Sequence, residues 1–395
     1  TEIGRLAKTM ADDKQAYNFD EYIRHGEASQ KEKAENWQIA IGLQAVDGLN
    51  PSKYLIDNAQ KHIKGDITID DVKENLRSYY VSKVSRTKEE KDEEEADKVS
   101  ANITKLLASP TFAFTAAGFI AIHQHLFEGV YKFAGKIRDY DITKKEWVLD
   151  GDSVLYVNFQ DVRRAIEYDL EQERQFSYIG LSTDKVIERI AKFTAGLWQI
   201  HPFGEGNTRA TAVFIIKYLR WMGYSVDNTL FAQHSWYFRN ALVRANYQNT
   251  VKKVARTPDF LVKFLRNLML GENNELKNRY CHINWAENSV AKEEKENSQT
   301  EQVPNKYRTS TEQVPNKLSP STEQIEQLIM AIGNEELKIQ DILDRLQLKH
   351  RPHLLENYLN PAISEGFVRM LHPDSPRHPR QRYLLTIKGL AFYNK

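Results

Sequence analysis

The chain has 395 residues, 41% hydrophobic and 28% charged, which is enough apolar material for two or three packed cores. Lys and Arg total 55 against 54 Asp and Glu, a formal net charge of +1, so no whole-protein basic field for gripping nucleic acid exists. The single cysteine, Cys281, excludes an intramolecular disulfide and a multi-cysteine zinc site.

Helical periodicity dominates from the N-terminus onward. The stretch TEIGRLAKTMADDKQ lacks the apolar core of a signal peptide, and no apolar run reaches about 18 residues, so a cytoplasmic protein without a membrane span is expected. WQIAIGLQAVDGL reads as a helix of about three turns stopped by Gly48. NPSKYLIDNAQKHI follows with Asn50 and Pro51 at its start, then GDITIDDVKENLRSYY with Asp66 or Thr68 as cap. This block is too small for a strong core of its own, and its face of Trp37, Ile41, Ala45 and Leu49 is expected to cover something on the rest of the chain. The acid-rich run Val84–Lys98 has few apolar anchors and reads as a linker or helix edge.

Next comes SPTFAFTAAGFIAIHQHLFEGVYKFAG, a long apolar helix ending near Gly129 or Gly135. Alternating β-branched and aromatic residues around Asp150-Gly151 signal a β-hairpin with a type I′ turn. Five further helices follow, from VRRAIEYDLEQERQF to TPDFLVKFLRNLMLG. Asn288–Thr322 is low in apolar residues and repeats TEQVPNK at 300–306 and 311–317, a low-complexity linker. Three more helices, then FVRML and RYLLT flanking a polar stretch, give the element order of a winged helix. The fold class is mainly α, with expected boundaries at 1–98, 99–280, 281–322 and 323–395.

The chemistry concentrates in Gln199-Ile-His-Pro-Phe-Gly-Glu-Gly-Asn-Thr-Arg209, between two apolar helices. Glycines at 204 and 206 free the connecting loop, and Asn207 or Thr208 can cap the next helix. Unpaired N–H groups at that helix start, with Arg209 in its first turn, form a cradle for phosphate. A base, His201, and a hard carboxylate, Glu205, lie within the same few residues, a set suited to nucleotidyl or phosphoryl transfer. His123 and His125 are two apart on a helix, about 200° around it, so one core and one surface histidine is expected rather than a chelating pair. Cys281 reads as inert.

His-Pro-Phe-Gly-Glu-Gly-Asn-Thr-Arg resembles the motif of the Fic (filamentation induced by cAMP) family, and Leu126–Arg138 upstream is similar to its surroundings. The resemblance covers about residues 110–275. It implies transfer of AMP from ATP to a Ser, Thr or Tyr hydroxyl of a target protein or of the chain itself. His201 would be the base and Glu205 the ligand of Mg²⁺; Gly206, Asn207 and Thr208 would supply the anion hole, and Arg209 the phosphate clamp. Asn246 and Tyr247 would line the base pocket, and the hairpin residues Val154, Leu155 and Tyr156 would form the target-docking flap. Two positions depart from the family pattern. Thr208 replaces the second motif glycine, and Ala212 replaces the final arginine, which in the family pairs with the terminal phosphate.

The N-terminal block is similar to the antitoxin-like domain that inhibits some Fic enzymes, with Asp47-Gly48 at the place of its Glu-Gly pair and Leu43 where the motif has Ser or Thr. With the partner arginine replaced by Ala212, charge-pair inhibition is expected to be weak. From Lys349 to Lys388 there are seven Lys or Arg and three Asp or Glu, including Arg377, Arg380 and Arg382 in the wing. That excess suits DNA phosphate, while protein contact or homodimer formation is the other use of such a domain. A Fic-type protein adenylyltransferase is therefore expected. The reading from a different class is a winged-helix DNA-binding transcriptional regulator with a nucleotide-sensing core.

Overall fold

Residues 19, 28–83, 85–226, 228–285 and 319–394 are described in the computed structural model, and the TEQVPNK repeats lie outside them, as does most of the expected 281–322 linker. The chain divides into two units, Thr1–Ser109 and Pro110–Lys395.

Among the described residues, the first unit holds four helices. α1 (Ala28–Gly42) runs into a 3₁₀ turn, Leu43–Asp47, closed by Gly48 in the left-handed conformation. α2 (Lys53–Lys64) is capped by the Ser52 hydroxyl, and α3 (Ile69–Val81) by a reciprocal capping box of Thr68 and Asp71. α4 (Lys88–Ala108) contains most of the acidic run that reads as a linker. Thr87 and Glu90 form its capping box, acids fill its positive first turn, and Lys98 pairs with Glu94 one turn earlier. Behind that charged start, Ala96, Val99, Ile103 and Leu107 recur at helical spacing and are buried. α4 packs along α1 and α3. Trp37 and Ile41 are therefore enclosed in a core internal to this unit, with Leu55, Ile63, Val72, Leu76, Tyr80 and Ala101. The small block gains its core from the acidic helix.

The second unit begins with α5 (Ala116–Phe127), shorter than the apolar run because residues 110–114 are irregular and Thr115 caps the helix. α6 (Val162–Gln175), α7 (Thr183–Ile200), α8 (Asn207–Trp221), α9 (Asn228–Asn246) and α10 (Asp259–Leu270) form the bundle, with a short α11 (Asn278–Cys281) against α9. The expected hairpin between α5 and α6 carries no strand among the described residues. Asp150 and Gly151 do take positive φ, 55° and 86°, but Trp147–Leu149 winds into a 3₁₀ turn. A bond from the Glu146 N–H to the Asp152 carbonyl (2.9 Å) joins the arms, and the Gly151 N–H returns to the Glu146 carbonyl (3.1 Å).

Beyond the linker come α12 (Glu323–Ile332) and α13 (Ile339–Arg345). A third helix, α14, joins Arg351–Leu354, a π stretch Leu355–Leu359, and Asn360–Ser364. β1 (Val368–Met370) and β2 (Tyr383–Leu385) pair antiparallel with Arg369 opposite Leu384, and α15 (Ile387–Tyr393) closes the chain. Three helices and a hairpin are the order expected here. This end has its own core, including Ile325, Leu328, Ile342, Leu354, Leu359 and Phe367. It also touches the C-terminal end of α8: the Lys388 N–H donates to the Met222 carbonyl (3.1 Å), and Arg369 lies over the Trp221 ring at 5.2 Å. Gly223 faces the Gly366 backbone there, so close that a Cβ would collide with it.

Candidate active site

α7 ends at Ile200, and His201 follows as its C-cap with φ 50°, a left-handed conformation rare for a residue with a Cβ. The side chain is almost fully buried. Its Nδ1 lies 3.1 Å from the Trp198 carbonyl. A carbonyl only accepts, so Nδ1 carries the proton and Nε2 keeps its lone pair. Burial, and then the nearby Lys144 cation, hold the imidazole pKa well below its ordinary value. His201 is thus a neutral imidazole with a proton acceptor at Nε2.

The loop after it is tied down by bonds from within. Asn207 accepts from the Phe203 N–H (2.9 Å) and donates to the Phe203 carbonyl (2.8 Å), closing the loop on itself. Phe203 is fully buried and stacks on His123 at 3.7 Å. Gly206 precedes α8 with φ 78°, and a Cβ there would fall inside the Phe127 ring, so two independent constraints demand glycine. The N–H groups at the start of α8 form the positive end of a helix dipole.

Thr208 resolves the first departure from the family motif. It sits in α8, and its hydroxyl accepts from the buried Trp198 indole N–H at 3.0 Å. Its side chain therefore belongs to the α7–α8 packing. Arg209 is buried, with its guanidinium 4.9 Å from the Phe127 ring centre and 3.3 Å from the Tyr131 hydroxyl. Ala212 is fully buried on the same helix and adds no charge. Glu205 is the exposed end of the site; its carboxylate pairs with the flap residue Lys144 at 2.9 Å.

Three braces of this site, His123, Arg138 and Gln199, have no role assigned to them by the sequence. His123 is core and His125 exposed, but His123 is more than core filling. The Gly135 N–H donates to its Nδ1 (2.9 Å), so its Nε2 carries the proton and donates to the Glu205 carbonyl (3.0 Å). Burial lowers its pKa to about 4, so it stays neutral. Arg138, also buried, gives its guanidinium to the carbonyls of His201 (2.8 Å), Ile200 (3.3 Å), Tyr140 (2.7 Å) and Val157, joining the motif loop to the flap. Gln199 donates to the Leu155 carbonyl (2.9 Å). The signal for Arg138 was its place at the end of the Leu126–Arg138 segment; the His123 contact spans 82 residues and left none.

The residues expected to dock a target divide by strand-like alternation. Leu155 is 83% exposed, whereas Val154 and Tyr156, on the opposite face, are buried. The Tyr156 ring lies 4.1 Å from the His201 ring. Asn246 spends its amide on the Ala195 (2.9 Å) and Leu242 (3.0 Å) carbonyls inside the bundle. The Tyr247 hydroxyl donates to Asp152 at the flap turn (2.6 Å). Asp47 is half-buried at the end of its 3₁₀ turn in the first unit, where the Gly48 N–H returns to the Ala45 carbonyl (3.1 Å). The Cys281 thiol is buried and pushed up to about 12 by that burial, so it stays protonated. Between β1 and β2, Arg377 and Arg380 are exposed, while Arg382 donates to the Glu336 carbonyl (3.2 Å).

A buried neutral histidine, a helix N-terminus after a glycine loop, and an exposed carboxylate define a site built for a phosphorylated ligand. Residues 113–219 match the Fic/DOC family, and residues 323–386 match the C-terminal domain of filamentation induced by cAMP protein Fic-like. The chain thus carries a Fic domain followed by a Fic-like C-terminal domain. The Probable protein adenylyltransferase Fic of Salmonella typhimurium is 26% identical over 148 residues, covering 35% of this chain and 70% of that protein. Protein adenylyltransferase VbhT of Bartonella schoenbuchensis is 32% identical over 106 residues, or 27% of this chain; the match spans only 21% of VbhT. A crystal structure of a Fic family protein from Desulfovibrio desulfuricans G20 aligns with 97% of this chain and 94% of its own, at 17% identity and a TM-score of 0.37.

Proposed function

We propose that the chain transfers AMP from ATP to a hydroxyl of a protein, its own or a target's. The observation that carries this reading is the state of His201: neutral, buried, and with Nδ1 occupied by the Trp198 carbonyl, so that Nε2 is the proton acceptor. A Ser, Thr or Tyr hydroxyl presented beside Leu155 gives its proton to Nε2 as its oxygen attacks the α-phosphorus. The pyrophosphate leaves from the far side. The α8 N-terminus and Arg209 hold the phosphates and meet the charge that builds on them.

The residues present also fit a magnesium ion. Glu205 offers a hard, exposed carboxylate that already attracts a cation, the Lys144 ammonium. No group of three or more His, Cys, Asp or Glu able to hold a metal occurs among the described residues, so Glu205 would hold the ion together with the nucleotide's own phosphates. When bound, the ion neutralises phosphate charge; Glu205 is the residue that holds it.

The test is transfer of label from α-labelled ATP to protein. His201→Ala should lower transfer by about 10²–10⁴-fold, the usual contribution of a general base, with ATP affinity within about twofold of wild type. Transfer at the wild-type rate in His201→Ala ends this assignment.

A further inference from the structure

Ala212 leaves the site short of one cation at a fully buried position of α8. The other guanidinium and ammonium groups around the loop have partners of their own: Arg138 on four carbonyls, Arg239 on Glu146 (3.0 Å), Lys252 on Asp152 (2.7 Å). Lys144 differs. Its Nζ sits 2.9 Å from Glu205 Oε2, its side chain is only 20% exposed, and its own N–H is pinned to the Ser153 hydroxyl (3.1 Å). It is also the foremost charge acting on His201. One ammonium therefore stands over both the carboxylate and the base of the site.

We infer that Lys144 is a polyphosphate-binding residue, the flap's replacement for the cation missing at Ala212. This rests on the use of ATP proposed above. A magnesium ion held by Glu205 would draw phosphate oxygens to the same carboxylate that Lys144 faces. The Lys144 ammonium is already 2.9 Å from that carboxylate, on a stem with four rotatable carbons. With Glu205 engaged by the ion, the ammonium would be left to pair with phosphate oxygens beside the same carboxylate. The ligand it selects is a nucleoside triphosphate over a monophosphate, since a lone phosphate on the α8 N-terminus leaves no second anion for it.

Calorimetric titration of the full chain with ATP and with AMP, both in Mg²⁺, tests this with Lys144→Ala and Lys144→Arg. Lys144→Ala should weaken ATP about tenfold or more, the scale of one charge-assisted contact, and change AMP less than about twofold. Lys144→Arg should bind ATP within about threefold of wild type. ATP bound by Lys144→Ala as tightly as by wild type, or more tightly, overturns the inference and makes the lysine a counter-ion of Glu205 only. Equal losses for ATP and AMP, or a wild type with no preference for ATP, overturn it as well. Should Lys144→Ala melt early, Lys144→Met keeps an unbranched stem of similar length and removes the charge. The expected affinities together with no label on any protein would retain Lys144 and end the AMP-transfer reading.

Discussion

The motif loop and the flap meet at His201 and Tyr156, yet they are held in different ways. The loop, residues 201–208, is fixed by short-range and buried bonds: Asn207 to Phe203, Trp198 to Thr208, His123 to the Glu205 carbonyl. The flap, residues 141–157, has no ladder of its own. Side chains from elsewhere hold it, through Arg239 on Glu146, Tyr247 and Lys252 on Asp152, and Gln199 on the Leu155 carbonyl. Buried neutral bonds are insensitive to salt, and exposed ion pairs are screened. The loop is thus rigid ground for the reacting atoms. In the flap, Arg239–Glu146 and Arg138 are buried contacts, so the part whose position depends on charge is the turn, held by the exposed Lys252–Asp152 pair.

The strongest way to break this comparison is Thr208→Gly, which restores the family's glycine. It leaves the buried Trp198 N–H without its acceptor and puts glycine into the first turn of α8. The expected loss of stability is about 2–3 kcal/mol by denaturant titration, from an unsatisfied buried donor plus the helix penalty. Thr208→Ser keeps the acceptor and should lose less than about 1 kcal/mol. A Thr208→Gly protein as stable as wild type would show that the loop is not held from within.

The parts of this design legible in the sequence are those encoded locally. The motif places base, carboxylate and helix N-terminus in one segment, and caps such as Thr68 and the pattern of α7 and α8 mark their helices. The acidic run reads as a linker or helix edge because the first turns of α4 are all charge, although Thr87-x-x-Glu90 and the spacing of Ala96, Val99, Ile103 and Leu107 carry the helix signal. The flap was read as paired strands because alternation does appear there. It governs which of Val154, Leu155 and Tyr156 is exposed, but tertiary ion pairs, not a ladder, fix the arms. The second-layer braces were invisible for another reason. Arg138 and His123 act on backbone carbonyls, and a carbonyl leaves no mark on residue identity.

His123 sharpens the comparison through pH. Its folded pKa of about 4 lies below the 6.5 of free imidazole, so the native state refuses a proton that the unfolded chain accepts. Its contribution is fully present above pH 6.5 and is lost as pH falls from 6.5 toward 4, at about 1.4 kcal/mol per unit. His123→Gln keeps a neutral donor for the Glu205 carbonyl but does not titrate. It should be less stable than wild type at pH 7, by about 1 kcal/mol. Chemical denaturation at pH 7, 6 and 5 should show that gap shrinking at pH 6 and reversed at pH 5, where the variant is the more stable. His201 titrates in the same direction in both proteins and cancels from the difference. A gap constant with pH would mean that His123 does not hold the loop as a neutral donor.

The smallest effect is expected at the flap turn. Asp152 accepts from the part-buried Tyr247 hydroxyl at 2.6 Å and from Lys252 at 2.7 Å, the latter an exposed contact. The Lys252 bond is the chief reason its pKa lies below the usual carboxylate range. Asp152→Ala removes the turn's outer fastening and touches none of the loop's bonds. Exposed pairs add little to global stability, so the melting temperature should shift by less than about 2 °C. Local opening is another matter. The Glu146 and Gly151 amides bond only within the flap, so their hydrogen exchange should quicken by about tenfold or more. The His201 and Phe203 amides bond to Trp198 and Asn207, and their exchange should not change. The same selective quickening should appear in wild type at 1 M salt, where screening shortens to about 3 Å. If loop amides quicken together with flap amides, the two open as one unit, and the distinction between a rigid loop and a charge-held turn is lost.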